Sequence, residues 1–121
     1  MTNHATLHLT VGQTILTGTV ADNSSAQALV DLLADGPITI QMRDYEGMEK
    51  VGPLPTTLPT NDLPITTQAG DLILYQGDKL VIYYAPNTWT FTRLGKIDDV
   101  TAPELKQILG DGDIDITLSL Q

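Results

Sequence analysis

Apolar and polar residues alternate with a period of two in stretch after stretch of the chain. In "ATLHLTV" Leu7, Leu9 and Val11 share one face, and Thr6, His8 and Thr10 share the other. A short turn at Gly12 and Gln13 leads into a returning strand, "TILTGTVAD", where Gly18 marks a bulge or a close approach of backbone. "PITIQMRD" sets Ile38, Ile40 and Met42 against Thr39, Gln41 and Arg43, and "DYEGMEK" follows as a turn with Gly47 at its tip. "AGDLILYQGDKLVIYY" is apolar on both faces, the mark of strands covered on two sides, and predicts a hairpin turning at Gly77. "WTFTRLGKI" predicts a further strand. "DIDITLSL" closes the chain with Ile114, Ile116, Leu118 and Leu120 on one face.

The period changes in two places. In "DNSSAQALVDLLADGP" the stripe Ala26, Leu29, Leu32 and Leu33 predicts a helix that lies against a sheet. Asn23 or Ser24 caps its start, and Gly36 with Pro37 stops it. "TAPELKQILG" predicts a second, shorter helix with Pro103 near its first turn. The count is about seven or eight short strands and two helices, and the helices do not alternate regularly with the strands. That order argues against a parallel α/β sheet and for a mainly β chain, a closed or nearly closed barrel capped by helices. Seventeen threonines against three serines, with ten isoleucines and six valines, lean the same way.

Length decides how the middle of the chain is read. Pro53, Pro55, Pro59 and Pro64 could divide the 121 residues into halves. Each half would be marginal, since domains that small bury a low fraction of their surface and often lean on disulfides or metals, and the chain contains no cysteine. One domain over residues 1–121 is therefore expected. The missing cysteine also excludes thiolate chemistry and fits a reducing compartment. The N-terminal residues alternate instead of forming a leader, and no apolar run approaches the ~20 residues of a membrane span, so a soluble cytoplasmic protein is expected. Fifteen acidic against six basic residues give a net charge of −9. That field repels phosphate backbones and anionic lipid, so neither nucleic acid nor a membrane is an expected partner.

Few motifs carry chemistry. Asp111, Asp113 and Asp115 have the odd spacing of a calcium loop, but the sixth position is Ile116 and the twelfth lies beyond Gln121. A turn leading into a strand accounts for them. His4 and His8 on a strand stand roughly 13 Å apart, too far to share a metal. Ser24, Ser25 and Ser119 lack a nucleophile elbow, and no glycine-rich phosphate loop is present. No metal or cofactor is expected. Asp44, Glu46 and Glu49 surround one turn, and Asp98 and Asp99 sit in another; paired acids of this kind perform acid–base work only where their environments differ.

The richer constellation is Trp89, Phe91 and Arg93, which strand alternation places on one face. Two aromatics beside a guanidinium suit a groove for an extended peptide or a small apolar ligand. Arg43 and Tyr45 would join it if their strand is a neighbour, and Tyr84 completes the expected ligand-binding set. The alternative is that Phe91 is core and Arg93 snorkels at its rim.

"DNSSAQALVDLL", "MRDYEGMEKVGPLPTTLP", "AGDLILYQGDKLVIYY", "WTFTRLGKIDD" and "LKQILGDGDIDITLSL" together resemble the small bacterial cyclophilin-like proteins, from Asp22 to the end. The resemblance implies a closed eight-stranded antiparallel barrel of cyclophilin-like type with helices at its ends. Cyclophilins are prolyl isomerases that hold a proline over an apolar pocket beside an arginine, on a strand with a Phe-His-Arg type sequence. Arg43 in "QMRD" and Arg93 in "FTRLG" lack that flanking pattern, so no catalytic residue is carried over. The expected function is a binding module, against a divergent prolyl isomerase or a protein-interaction domain without catalysis. The resemblance runs through the prolines. That segment has one glycine and no serine, and Leu54, Leu58, Leu63 and Ile65 need apolar surroundings. It is read as an ordered loop wrapping the barrel.

Overall fold

Leu7, Leu9 and Val11 bury the inward face of β1 (Thr6–Val11), which returns through Gly12 and Gln13 into β2 (Thr14–Val20). The structure, a computed structural model, describes residues 6–45, 49–110 and 112–120; His4, Glu46, Gly47 and Asp111 lie outside them. After β2 come α1 (Ser24–Ala34), β3 (Ile38–Tyr45), β4 (Glu49–Pro53), β5 (Leu63–Thr66), β6 (Asp71–Tyr75) and β7 (Lys79–Tyr83). β8 (Thr88–Ile97), α2 (Ala102–Leu109) and β9 (Ile114–Leu120) complete the chain.

The strands join in the order β2-β1-β9-β3-β4-β7-β6-β8, and β8 pairs back onto β2. Every pairing is antiparallel, so the result is a closed eight-stranded barrel. Closure removes the open edges that invite pairing with other chains. β5 stands outside it, paired only with the first half of β8.

Alternation sorts the side chains into two clusters. Leu72 and Leu74 of β6, with Leu80 and Ile82 of β7, point into the barrel and join Leu7, Leu9, Ile40, Met42, Ile116 and Leu118. The intervening Ile73, Val81 and Tyr83 point outward and pack with Phe91, Val51 and Ile65. This double coverage explains why the β6–β7 hairpin reads as apolar on both faces. Its three-residue turn, between the paired Tyr75 and Lys79, places Gln76 and Gly77 in the left-handed region at φ 55° and 79°.

Both helices supply the barrel core, α1 through Ala26, Leu29 and Leu33, α2 through Leu105 and Leu109. Asn23 is the N-cap of α1 and accepts from the Ala26 amide at 2.8 Å, while its own amide donates to the Arg93 carbonyl at 2.8 Å. Thr101 and Glu104 form a capping box on α2. No helix among the described residues is long and apolar enough to cross a membrane.

Two strands depart from the sequence reading, which placed Glu49–Thr66 in a wrapping loop. In β4 the inward positions are Lys50 and Gly52, so no apolar alternation marks it as a strand. β5 contains Pro64, which a strand tolerates where it forms only one ladder, and β8 is its sole partner. Between them the segment does wrap. Leu54 and Leu58 enter the barrel core, and their amides donate to the Asp78 and Gly77 carbonyls at 2.8 and 2.7 Å. Beyond them, Ser25 donates to the Pro59 carbonyl, and the Asn61 side-chain amide donates to the Ser24 and Ser25 hydroxyls. The Asn61 backbone amide donates to the Thr92 hydroxyl, which in turn donates to Asp62. The segment thus ties the hairpin tip to the start of α1.

Candidate functional site

The outward faces of β3, β4 and β7 meet the β5–β8 ribbon at a cleft of about 500 Å³. Its position follows from a change of partner along β8. Residues 92–96 pair with β6 inside the barrel wall, whereas residues 88–91 pair with β5. Leu63 and Ile65 lie opposite Phe91 and Trp89, so the four share one face of the ribbon. Phe91 and Ile65 pack onto the wall, and Trp89 is left overhanging the cleft, 65% exposed.

Val51, Val81, Tyr83 and Phe91 form the apolar floor. The Tyr83 and Phe91 rings meet at 5.6 Å between centroids, tilted by 57°. Tyr45 and Tyr75 stand at the rim, 55% and 39% exposed. Arg43 lies on the outward face of β3, opposite Val51, with its guanidinium exposed and without a hydrogen bond or ion pair to any described residue. The other charges bordering the cleft are engaged. Lys79 pairs with Asp78 at 3.0 Å, and Asp44 pairs with Lys50 at 3.2 Å. Glu49, opposite Tyr83 in the ladder, hydrogen-bonds to its hydroxyl.

Tyr83 also accepts from the Asn87 side-chain amide at 3.2 Å. Burial raises its phenol to about 12, and the neighbouring Glu49 charge adds to the rise against the Asn87 bond, which lowers it. The folded state therefore holds this proton more tightly than the unfolded chain, whose tyrosine titrates near 10.0. The associated stability is complete below pH 10 and is lost as pH climbs through about 12. Over that window Tyr83→Phe is expected to remove on the order of 2 kcal/mol of pH-dependent loss. Urea unfolding of both proteins across the window measures it; parallel curves would show that Tyr83 does not carry the effect.

Of the residues singled out in the sequence, Arg43, Tyr45, Trp89 and Phe91 line this one cleft. Tyr84 does not. It points into the barrel core, where its hydroxyl donates to Asp44. Arg93 faces outward like Phe91 but opens onto a different pocket beside Asp71, since β8 has by then joined β6. Trp89, Arg93 and Tyr84 therefore do not share one pocket. Tyr75 and Tyr83 were missed, although the outward parity of the hairpin that carries them was visible in the sequence. Phe91 itself is buried, as the core alternative expected, and is also floor of the cleft. Asp44 and Glu49 both border the cleft. Among the described residues no group of three or more His, Asp or Glu side chains is placed to hold a metal ion.

Compared with known protein families, residues 9–120 match the model of the cyclophilin-like family. No curated protein matches the sequence.

Proposed function

The chain belongs to the cyclophilin-like family, and on that premise we propose that its outer cleft binds an apolar ligand, a peptide or a small molecule, against aromatic side chains. One observation carries the reading. The chain has six aromatic residues, one Trp, one Phe and four Tyr, and five of them line this cleft. Three of the five are exposed, where they add nothing to the core. Aromatic walls with a wet rim suit the ring of a proline or another flat apolar group, because they supply contact area at little loss of side-chain freedom. Arg43 is the cleft's free cation among the described residues, and it would donate to a carbonyl or carboxylate of the ligand.

Trp89 is the only tryptophan, so its emission reports directly on the cleft. A panel of proline-containing peptides and small aromatic compounds is expected to yield ligands that shift this emission to the blue. Calorimetry on those ligands should then show Trp89→Ala weakening binding about thirtyfold and Arg43→Ala about tenfold. Unchanged affinity in both variants would refute the site.

A second reading is a divergent prolyl isomerase, favoured by an apolar floor beside an arginine on a barrel of this family. A protease-coupled assay on Xaa-Pro peptides decides it, and a rate equal to the uncatalysed one rejects it.

A further inference from the structure

Positive charge is scarce in this chain, yet two of its six basic residues line one small pocket away from the cleft. Arg93 and Lys96 enclose about 250 Å³ together with Thr66, Gln68 and Asp71. No apolar side chain takes part, and no lining residue is shared with the aromatic cleft. The local sum of one Arg, one Lys and one Asp is positive against a chain net charge of −9. Asp98 lies just outside the lining, hydrogen-bonded to Thr19, the ladder partner of Lys96, so the attraction rests on the two cations of the pocket itself.

The arginine is set in place before any ligand arrives. Its Nη2 donates to Asp71 Oδ2 at 3.2 Å, and the same oxygen accepts from the Gln68 amide at 2.9 Å. Asp71 is buried, so this anchor is rigid, and the Arg93 carbonyl is held from the other side by Asn23. Pairing with Asp71 nevertheless satisfies the guanidinium poorly. Nε is buried without an acceptor, and the rest of the side chain remains 41% exposed. A fold that needed only the ion pair would gain by closing both bonds of the fork. Lys96 lies opposite Asp71 in the ladder, but its ammonium makes no ion pair with the described residues and faces solvent.

We propose that this pocket binds a compact oxyanion, a phosphate or carboxylate group, between the outer N–H groups of Arg93 and the Lys96 ammonium. Asp71 orients the guanidinium and does not touch the ligand. Because Nε is enclosed by protein, the contacts fall to the exposed edge of the fork. The Gln68 side-chain amide and the Thr66 hydroxyl complete a polar wall that suits oxygen ligands and repels apolar ones.

The test is a titration of the ¹⁵N-labelled chain with inorganic phosphate, and in parallel with acetate, at constant ionic strength against chloride. Saturable shifts of the Arg93 Nε–H signal and of the Gln68, Asp71 and Lys96 amides are expected with phosphate or with acetate. The anion that saturates at lower concentration identifies the ligand class. Lys96→Ala, a surface change, should weaken that binding about tenfold, whereas Trp89→Ala should leave it unaltered. Shifts that stay linear and match those in chloride, or an affinity that Lys96→Ala does not change, would overturn the proposal. Loss of the cleft ligands described above would leave this result untouched.

Discussion

Lys50→Ala is expected to destabilise the protein by about 3–5 kcal/mol, enough to consume a large share of the stability of a domain this size. Lys50 is an inward position of β4 and is completely buried. Its ammonium donates to Asp44 at 3.2 Å and to the Gly112 carbonyl at 2.6 Å, and Asp44 also accepts from Tyr84. Alanine would strip the cation from a half-buried carboxylate and leave a void where the aliphatic stem packs. The two losses separate experimentally. Lys50→Met refills the volume but leaves the carboxylate without its cation, so it should recover only part of the stability. Adding Asp44→Asn removes the stranded charge and should recover more, since buried ion pairs cost more to break than to replace. Urea midpoints of the three proteins provide the comparison. A Lys50→Met midpoint equal to that of the parent would show that the pair contributes nothing.

Gly95→Ala is expected to cost on the order of 3 kcal/mol by forcing open the seam where the barrel closes. Gly95 lies opposite Val20 in the β2–β8 pairing. A Cβ there would stand 2.5 Å from the Thr19 carbonyl oxygen and 3.2 Å from the Val20 Cα. Both obstacles are backbone of a strand pinned by its own ladders, so no side chain can swing aside. Gly18 faces the same seam from β2, but a Cβ on it meets the Lys96 carbonyl oxygen at 3.0 Å, a milder conflict. Gly18→Ala should therefore fall between the parent and Gly95→Ala in thermal midpoint. The reverse order would mean that the seam relaxes in a way the static distances do not describe.

These two sites also show where sequence reading succeeds and where it stops. Gly18 stood out because a glycine inside an alternating strand implies a bulge or a close neighbour, and the neighbour is β8. Lys50 gave no such sign. A lysine is normally solvated, and only the register that sets it opposite Asp44 turns it inward. The same asymmetry runs through the cleft. Trp89 and Phe91 share a face by simple alternation, and Arg43 with Tyr45 share another, so four lining residues were legible as two pairs. That the pairs meet was not, because β3 and the first half of β8 are brought together by a ribbon folding over β6 and β7. Arg93 was grouped with Trp89 and Phe91 by the same alternation, and Tyr84 was added to the expected set. One step past Tyr83, the last residue of β7, reverses the face, so Tyr84 turns into the core. One change of partner along β8 carries Arg93 to another pocket.

The sequence by itself determined the strands that alternate and the two helices with their stops, because each of these rests on spacing within a few residues; the order of those elements favoured a barrel, and the family resemblance implied a closed one of eight strands. It also placed the prolines in an ordered segment on the ground that its leucines need burial, which Leu54 and Leu58 find in the core, whereas Leu63 on the outlying β5 stays 63% exposed. Tertiary structure alone decided which strand lies beside which, that β5 forms a strand outside the barrel, and that β4 pairs despite an inward lysine and glycine. Those outcomes depend on contacts between residues distant along the chain, and local periodicity carries no record of them.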